Sequence, residues 1–355
     1  MITGQGQNAG DGAQQFQARG NMVINQGISE ERVRNILKAE TAKLIADYTS
    51  EATHVIETRL AQLDDRVVTL FAAKDALDSF ADPAFIRSLR KAQNGAAATE
   101  RETDYDMLAA LLAERSDNPR DRRLTTGIDR AIEIVDQVDD TALRALTVLQ
   151  ATLQWIPTSG DPSAGLDAMD RILTQLLDGP LPTDFEWIDH LDILDAVRLN
   201  PVSNFKPFDE YYPQRMLGYA AAGLPEEESA SHPYAHGPFR NYIVDHPYRK
   251  GFQRVHAANE GTLRDSLRTF GVDEAQIDEF AAFAREKMGL GQPQPDAMAG
   301  LITAMHERST LDAVAAWWAT FPNALTITTV GKSLAVANAY RLDTNNFLPR
   351  NEQRV

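Results

Sequence analysis

A mainly α-helical fold with an N-terminal β-hairpin is predicted by three features of this 355-residue chain. From Ser29 onward, apolar residues recur at steps of three or four, the period of helices that bury one face. Strand-like alternation is scarce, with a short extended run near 325–328 as its clearest instance. The first 27 residues, MITGQGQNAGDGAQQFQARGNMVINQG, have a different texture, with 18 of them Gly, Gln, Asn or Ala. Two short extended runs there, 13–18 and 21–25, flank Arg19-Gly20, which suits a tight turn with positive φ at the glycine.

Each element follows in order. An isolated two-stranded hairpin is marginal in water, so the hairpin is expected to pair with copies of itself, with Phe16, Met22, Val23 and Ile24 as the apolar contacts. Ser29-Glu30-Glu31 reads as an N-cap followed by acids that favour the positive end of a helix. The stripe Val33, Leu37, Leu44, Tyr48, Val55, Leu60, Leu63, Val67 and Leu70 predicts one helix of about forty residues, or two broken near Thr49-Ser50. Asp82-Pro83 starts another helix, with aspartate as cap and proline at the first position, ending near Asn94-Gly95. Helices follow over 104–114, 126–138 and 141–153, with loops at Asn118-Pro119, Pro157 and Gly160-Asp161-Pro162. Two more helices occupy 163–200, separated by Gly179-Pro180-Leu181-Pro182. Residues 201–258 turn Pro-, Tyr-, Phe- and His-rich and read as irregular. Helical patterning returns at 259, and a short strand near 325–328 enters a last helix. The expected division is therefore 1–28 as oligomerisation hairpin, 29–78 as long helix, 79–200 as helical bundle, 201–258 as irregular segment and 259–355 as C-terminal helical domain.

Composition excludes several chemistries. The chain has no cysteine, so disulfides, thiolate catalysis and cysteine-bound zinc are absent. A formal net charge of -16 disfavours a general nucleic-acid surface, because phosphate binding draws on Lys and Arg. Two local basic groups exist, Arg87/Arg90/Lys91 and Arg120/Arg122/Arg123, and solvated helix faces are their simpler account. No apolar run approaches the roughly 18 residues that span a bilayer, no signal peptide begins the chain, and Ile2 rules out N-myristoylation. A cytoplasmic protein without membrane or cofactor is the expectation.

Of the seven histidines, four fall in HPYAHGPFRNYIVDHPYRKGFQRVH. Imidazole and carboxylate suit divalent transition metals, which makes His232, His236, Asp245 and His246 the candidate ligands of a metal-dependent hydrolase. Pro233, Gly237 and Pro238 preclude a regular helix across the first pair. The zinc-protease pattern fails after His306-Glu307. Gly331-Lys332-Ser333 invites a phosphate-loop reading, but Thr326 stands where that loop needs glycine. Thr328 or Thr329 as N-cap and Gly331 as a close-packing residue account for it more simply. The acids Asp184, Glu186, Asp189, Asp192 and Asp195 read as a solvated face, and the four tryptophans as core.

The layout resembles an uncharacterised bacterial family associated with phage-defence and other conflict loci. GDGAQQFQARGNMVINQGIS is similar to that family's hairpin running into a helix, ADPAFIRSLRKAQ and DYDMLAALLAER to its next helical segments, and LTITTVGKSLAVANAY to its C-terminal helix start. The last stretch is also similar to abortive-infection proteins of the helical type. The resemblance supplies no catalytic residues. It implies a homo-oligomeric accessory or effector component of antiviral defence, working through contacts with itself and other defence proteins. The alternatives are the hydrolase and, with Arg120, Arg122 and Arg123, a nucleic-acid-binding module.

Overall fold

The computed structural model describes residues 28–46, 49–236, 238–345 and 347–348, so the expected hairpin and its contacts Phe16, Met22, Val23 and Ile24 lie outside the described residues. Helices dominate the rest, with two small sheets that do not close into barrels.

The Ser29 hydroxyl accepts from the Arg32 amide and opens α1 (Glu30–Ile45). The chain breaks near Thr49-Ser50 and α2 (Ser50–Ala73) turns back along α1, with Arg34 reaching Asp65 at 3.3 Å. Asp82 caps α3 (Pro83–Ala98) as its Asp-Pro start predicts. This helix continues past Gly95, where the sequence suggests an end. Gly95, Ala92 and Ala96 are buried and bring its backbone close to that of α5 (Arg122–Ile134), so packing overrides the weak helix propensity of glycine. α4 (Glu102–Asp117), α6 (Asp140–Gln154) and α7 (Pro162–Leu176) complete this part of the bundle. Phe71, Phe80 and Phe85 interlock beneath α2 with ring centroids 5.0–5.5 Å apart.

α8 (Glu186–Ile193) leads to β1 (Val197–Asn200), which pairs antiparallel with β5 (Ala324–Ile327), Val197 opposite Ile327. The strand expected near 325–328 thus lies one residue earlier, because Thr328 turns its hydroxyl to the Gly331 amide and caps α15 (Thr329–Leu342). α15 packs against α4, α5 and α6, and Val330, Leu334, Ala335, Ala337 and Ala339 are all buried. A helix apolar on nearly every side belongs in the middle of a core. At Gly331 a side chain would overlap the Ala196 carbonyl, with Ile327 Cγ2 only 2.9 Å away.

α9 (Phe208–Tyr211), α13 (Pro295–His306) and α14 (Ser309–Trp318) meet around His306, whose imidazole lies between Asp209 (2.9 Å) and Asp312 (2.6 Å). Trp187, Trp317, Trp318, Phe205 and Phe321 form one aromatic cluster, and both C-terminal indoles donate to backbone carbonyls, of Pro182 and Lys206. These tryptophans are core, as their helix faces predict.

A second apolar core draws only on residues between 224 and 290. It contains the three-stranded sheet β2 (Leu224–Pro225), β4 (Phe252–Val255) and β3 (Ile243–Asp245), in that spatial order, with α10 (Glu226–Ala230), α11 (Glu260–Thr269) and α12 (Glu274–Glu286). Its neck is closed by a bridge between Ala221 and Pro293 and by the Gln294 amide donating to Ala220. The lobe therefore leaves the bundle and returns at one point, and residue 258, expected as a boundary, falls inside it. Strands of two to four residues are too short for alternation to register in the sequence.

Candidate functional site

Of the four residues proposed as metal ligands, His232 and His236 flank one short turn of the lobe, and Asp245 and His246 lie at the end of β3. His232 caps the Pro233–Ala235 turn through Nδ1, 3.4 Å from the Tyr234 amide, and packs at a tilt on Phe283 with centroids 4.1 Å apart. His236 Nε2 pairs with the Ala230 carbonyl at 2.8 Å. Asp245 accepts from the Gln253 side-chain amide. His246 is buried, and its Nδ1 accepts from the Tyr248 amide, so the proton sits on Nε2 and is donated to the Ala221 carbonyl at 2.9 Å. Burial holds its pKa below the usual histidine value and keeps it neutral. Its Nε2 thus ties the turn after β3 to the neck. Among the described residues, no group of three or more His, Asp or Glu is placed to hold a metal ion.

The residue on which this region turns belongs to no recognisable motif. Arg254 in β4 is 1% exposed and has no carboxylate partner among the described residues. Its guanidinium donates instead to backbone carbonyls, Gly160 at 2.6 Å and Val255 at 2.8 Å, with Gly218 at 3.4 Å. Desolvation pulls its pKa down to about 10, which leaves it charged at neutral pH. Gly160 is required here, since a side chain would stand 2.6 Å from His256 Cγ and overlap the His256 backbone. Arg254 thus pins the α6–α7 loop of the bundle to the lobe. The sequence signal is an arginine sharing one strand face with Phe252.

Along that seam runs a cleft of about 530 Å³. Thr158 and Gly160 line the bundle side. Phe239, Asn241, Tyr242 and His256 line the lobe side, with Thr262, Ser266 and Leu267 of α11 and Phe270 just after it. Asn259 and Thr262 form a reciprocal cap at the start of α11. The Tyr242 hydroxyl lies 3.0 Å from Ser266 Oγ. Burial first, then the positive charge of Arg254, lowers the pKa of His256.

A second concavity of about 460 Å³ lies between α1 and α2. Leu37, Ala42, Leu60 and Ala61 supply its apolar surface, Arg34 and Lys38 one charged wall, Glu57, Asp64 and Asp65 the other. Thr41 Oγ1 and Asp64 Oδ1 are buried there without a hydrogen-bond partner among the described residues. Burial pushes the Asp64 carboxyl up to about 6 from 3.8, with the Gln93 side chain offsetting part of the shift. The folded chain therefore holds this proton more tightly than the unfolded chain. That contribution is complete below pH 3.8 and is lost as pH rises through about 6. Asp64→Asn is expected to raise stability by about 1–2 kcal/mol at pH 8 and to leave it nearly unchanged at pH 3.5, as read by urea unfolding at both pH values.

The basic groups differ from one another. Arg90 pairs with Glu40, and Lys91 with Glu133 at 2.8 Å, so the first is neutralised by acids. Arg120, Arg122 and Arg123 are exposed around the start of α5. Among the described residues no helix is long and apolar enough to cross a membrane.

No curated protein and no solved structure matches the chain. A family model of uncharacterised proteins does match residues 27–348, from just before α1 through Leu348, and the chain belongs to that family.

Proposed function

We propose that the protein is a non-enzymatic, self-associating interaction protein that serves as an accessory or effector component of antiviral defence. The observation that carries the self-association is the α1/α2 groove. It holds apolar surface, walls of opposite charge and two buried polar atoms without partners among the described residues. Buried groups of that kind are expensive unless something satisfies them. A second copy offers the matching chemistry, because each groove carries both charge signs. The segment that precedes α1 adds Phe16, Met22, Val23 and Ile24 as further contacts between copies. The role in defence rests on the likeness of the four quoted stretches to families of conflict loci.

Size-exclusion chromatography with light scattering tests the reading. The full-length chain is expected to run as a multimer, and deletion of residues 1–27 to reduce it to monomer or dimer. Ala61→Arg, which places charge on the apolar surface of the groove, is expected to weaken the assembly further. A monomeric full-length protein at about 50 μM, where interfaces of ordinary size are occupied, overturns it.

A further inference from the structure

We propose that the cleft between the bundle and the lobe binds an uncharged nucleoside and discriminates against its phosphate esters. Its size lies within the range of small-molecule sites, which favour the seams between structural units. Among the described residues, neither Asp, Glu, Lys nor Arg lines it, although 24% of the chain is charged. What remains is aromatic surface with neutral donors and acceptors.

Those groups match a heterocycle carrying a sugar. Phe270 stands at the mouth with 77% of its surface exposed, a large ring left in water beside a concavity. A planar base stacked on it removes that surface from solvent. The carboxamides of Asn241 and Gln276 each present a donor beside an acceptor, the pattern that pairs with base edges. The imidazole of His256 has no hydrogen-bond partner among the described residues, and in its neutral form it offers one donor and one acceptor. Hydroxyls of Tyr242 and Ser266, already 3.0 Å apart, can share a sugar hydroxyl.

A phosphate finds no Lys or Arg among the described lining residues. Arg254 is 1% exposed, and both of its terminal nitrogens donate to backbone carbonyls. The net charge of -16 adds repulsion.

Isothermal titration of the full-length protein with adenosine, guanosine, cytidine and uridine, and with their 5′-monophosphates, provides the test. At least one nucleoside is expected to bind, with its monophosphate about tenfold weaker or more. Phe270→Ala, a substitution at an exposed site that leaves the fold intact, is expected to weaken that nucleoside about tenfold. Tyr242→Phe keeps the ring and is expected to cost about three- to tenfold. The inference is overturned if none of the four nucleosides binds at about 1 mM, if a monophosphate binds as tightly as its nucleoside, or if Phe270→Ala leaves the affinity unchanged. Thermal melts of both variants separate lost binding from lost fold.

Discussion

Arg254→Ala is expected to destabilise the protein by about 3–4 kcal/mol, the largest loss from any single side chain discussed above. Two opposing effects set that figure. Removing the guanidinium relieves the desolvation that holds its pKa near 10. Against this, the buried Gly160 carbonyl loses its short hydrogen bond, at about 1–3 kcal/mol, and the Val255 carbonyl is left with the Ala257 amide. The vacated volume adds a cavity term. The losses win because the carbonyls remain buried whatever replaces the arginine. Arg254→Lys is expected to recover only part, since a compact ammonium cannot span acceptors on three backbone segments as the planar fork does. Guanidinium chloride unfolding measures both variants. A change under about 1 kcal/mol for Arg254→Ala would mean that the seam is held elsewhere.

Gly331→Ala is expected to cost about 2–3 kcal/mol by overpacking. The added methyl meets the Ala196 backbone and Ile327 Cγ2, and neither can retreat, because Ala196 also accepts the Thr328 amide and Ile327 is fixed in the ladder with β1. Gly95→Ala is the opposing control. There the nearest atoms to an added methyl are 3.7 Å away, an ordinary contact, so the better helix former is expected to stabilise by about 0.5–1 kcal/mol. Two glycine-to-alanine changes inside helices thus carry opposite signs, and thermal melts of both distinguish packing from propensity.

The sequence foretells what depends on neighbours along the chain. Ser29, Asp82 and Thr328 cap the helices their positions announce, because a cap is a hydrogen bond over two or three residues. The break near Thr49-Ser50 and the close packing at Gly331 were legible for the same reason. What distant segments decide was not legible. The lobe closes through Ala221 and Pro293, and nothing local to either residue marks the other. His246 and Arg254 bind backbone carbonyls, which every residue possesses, so their partners leave no trace in composition. The cleft gathers Thr158, Tyr242, His256 and Ser266 from different turns, and its uncharged lining emerges only once they meet. The histidine-rich stretch looked like a ligand set because spacing shows which imidazoles are near in sequence. It does not show which of their nitrogens are already engaged.

The central place of α15 also bears on the order in which the molecule is built. α4, α5 and α6 pack on this helix, which follows every other described element in the chain. During synthesis their inner faces stay open until α15 arrives, whereas the lobe core draws only on residues between 224 and 290. The lobe can thus condense while the bundle waits as a loose collection of helices, since local contacts form before distant ones repay their loop entropy. The final helix acts as the keystone of assembly, and chains halted before it expose the apolar surfaces that chaperones recognise.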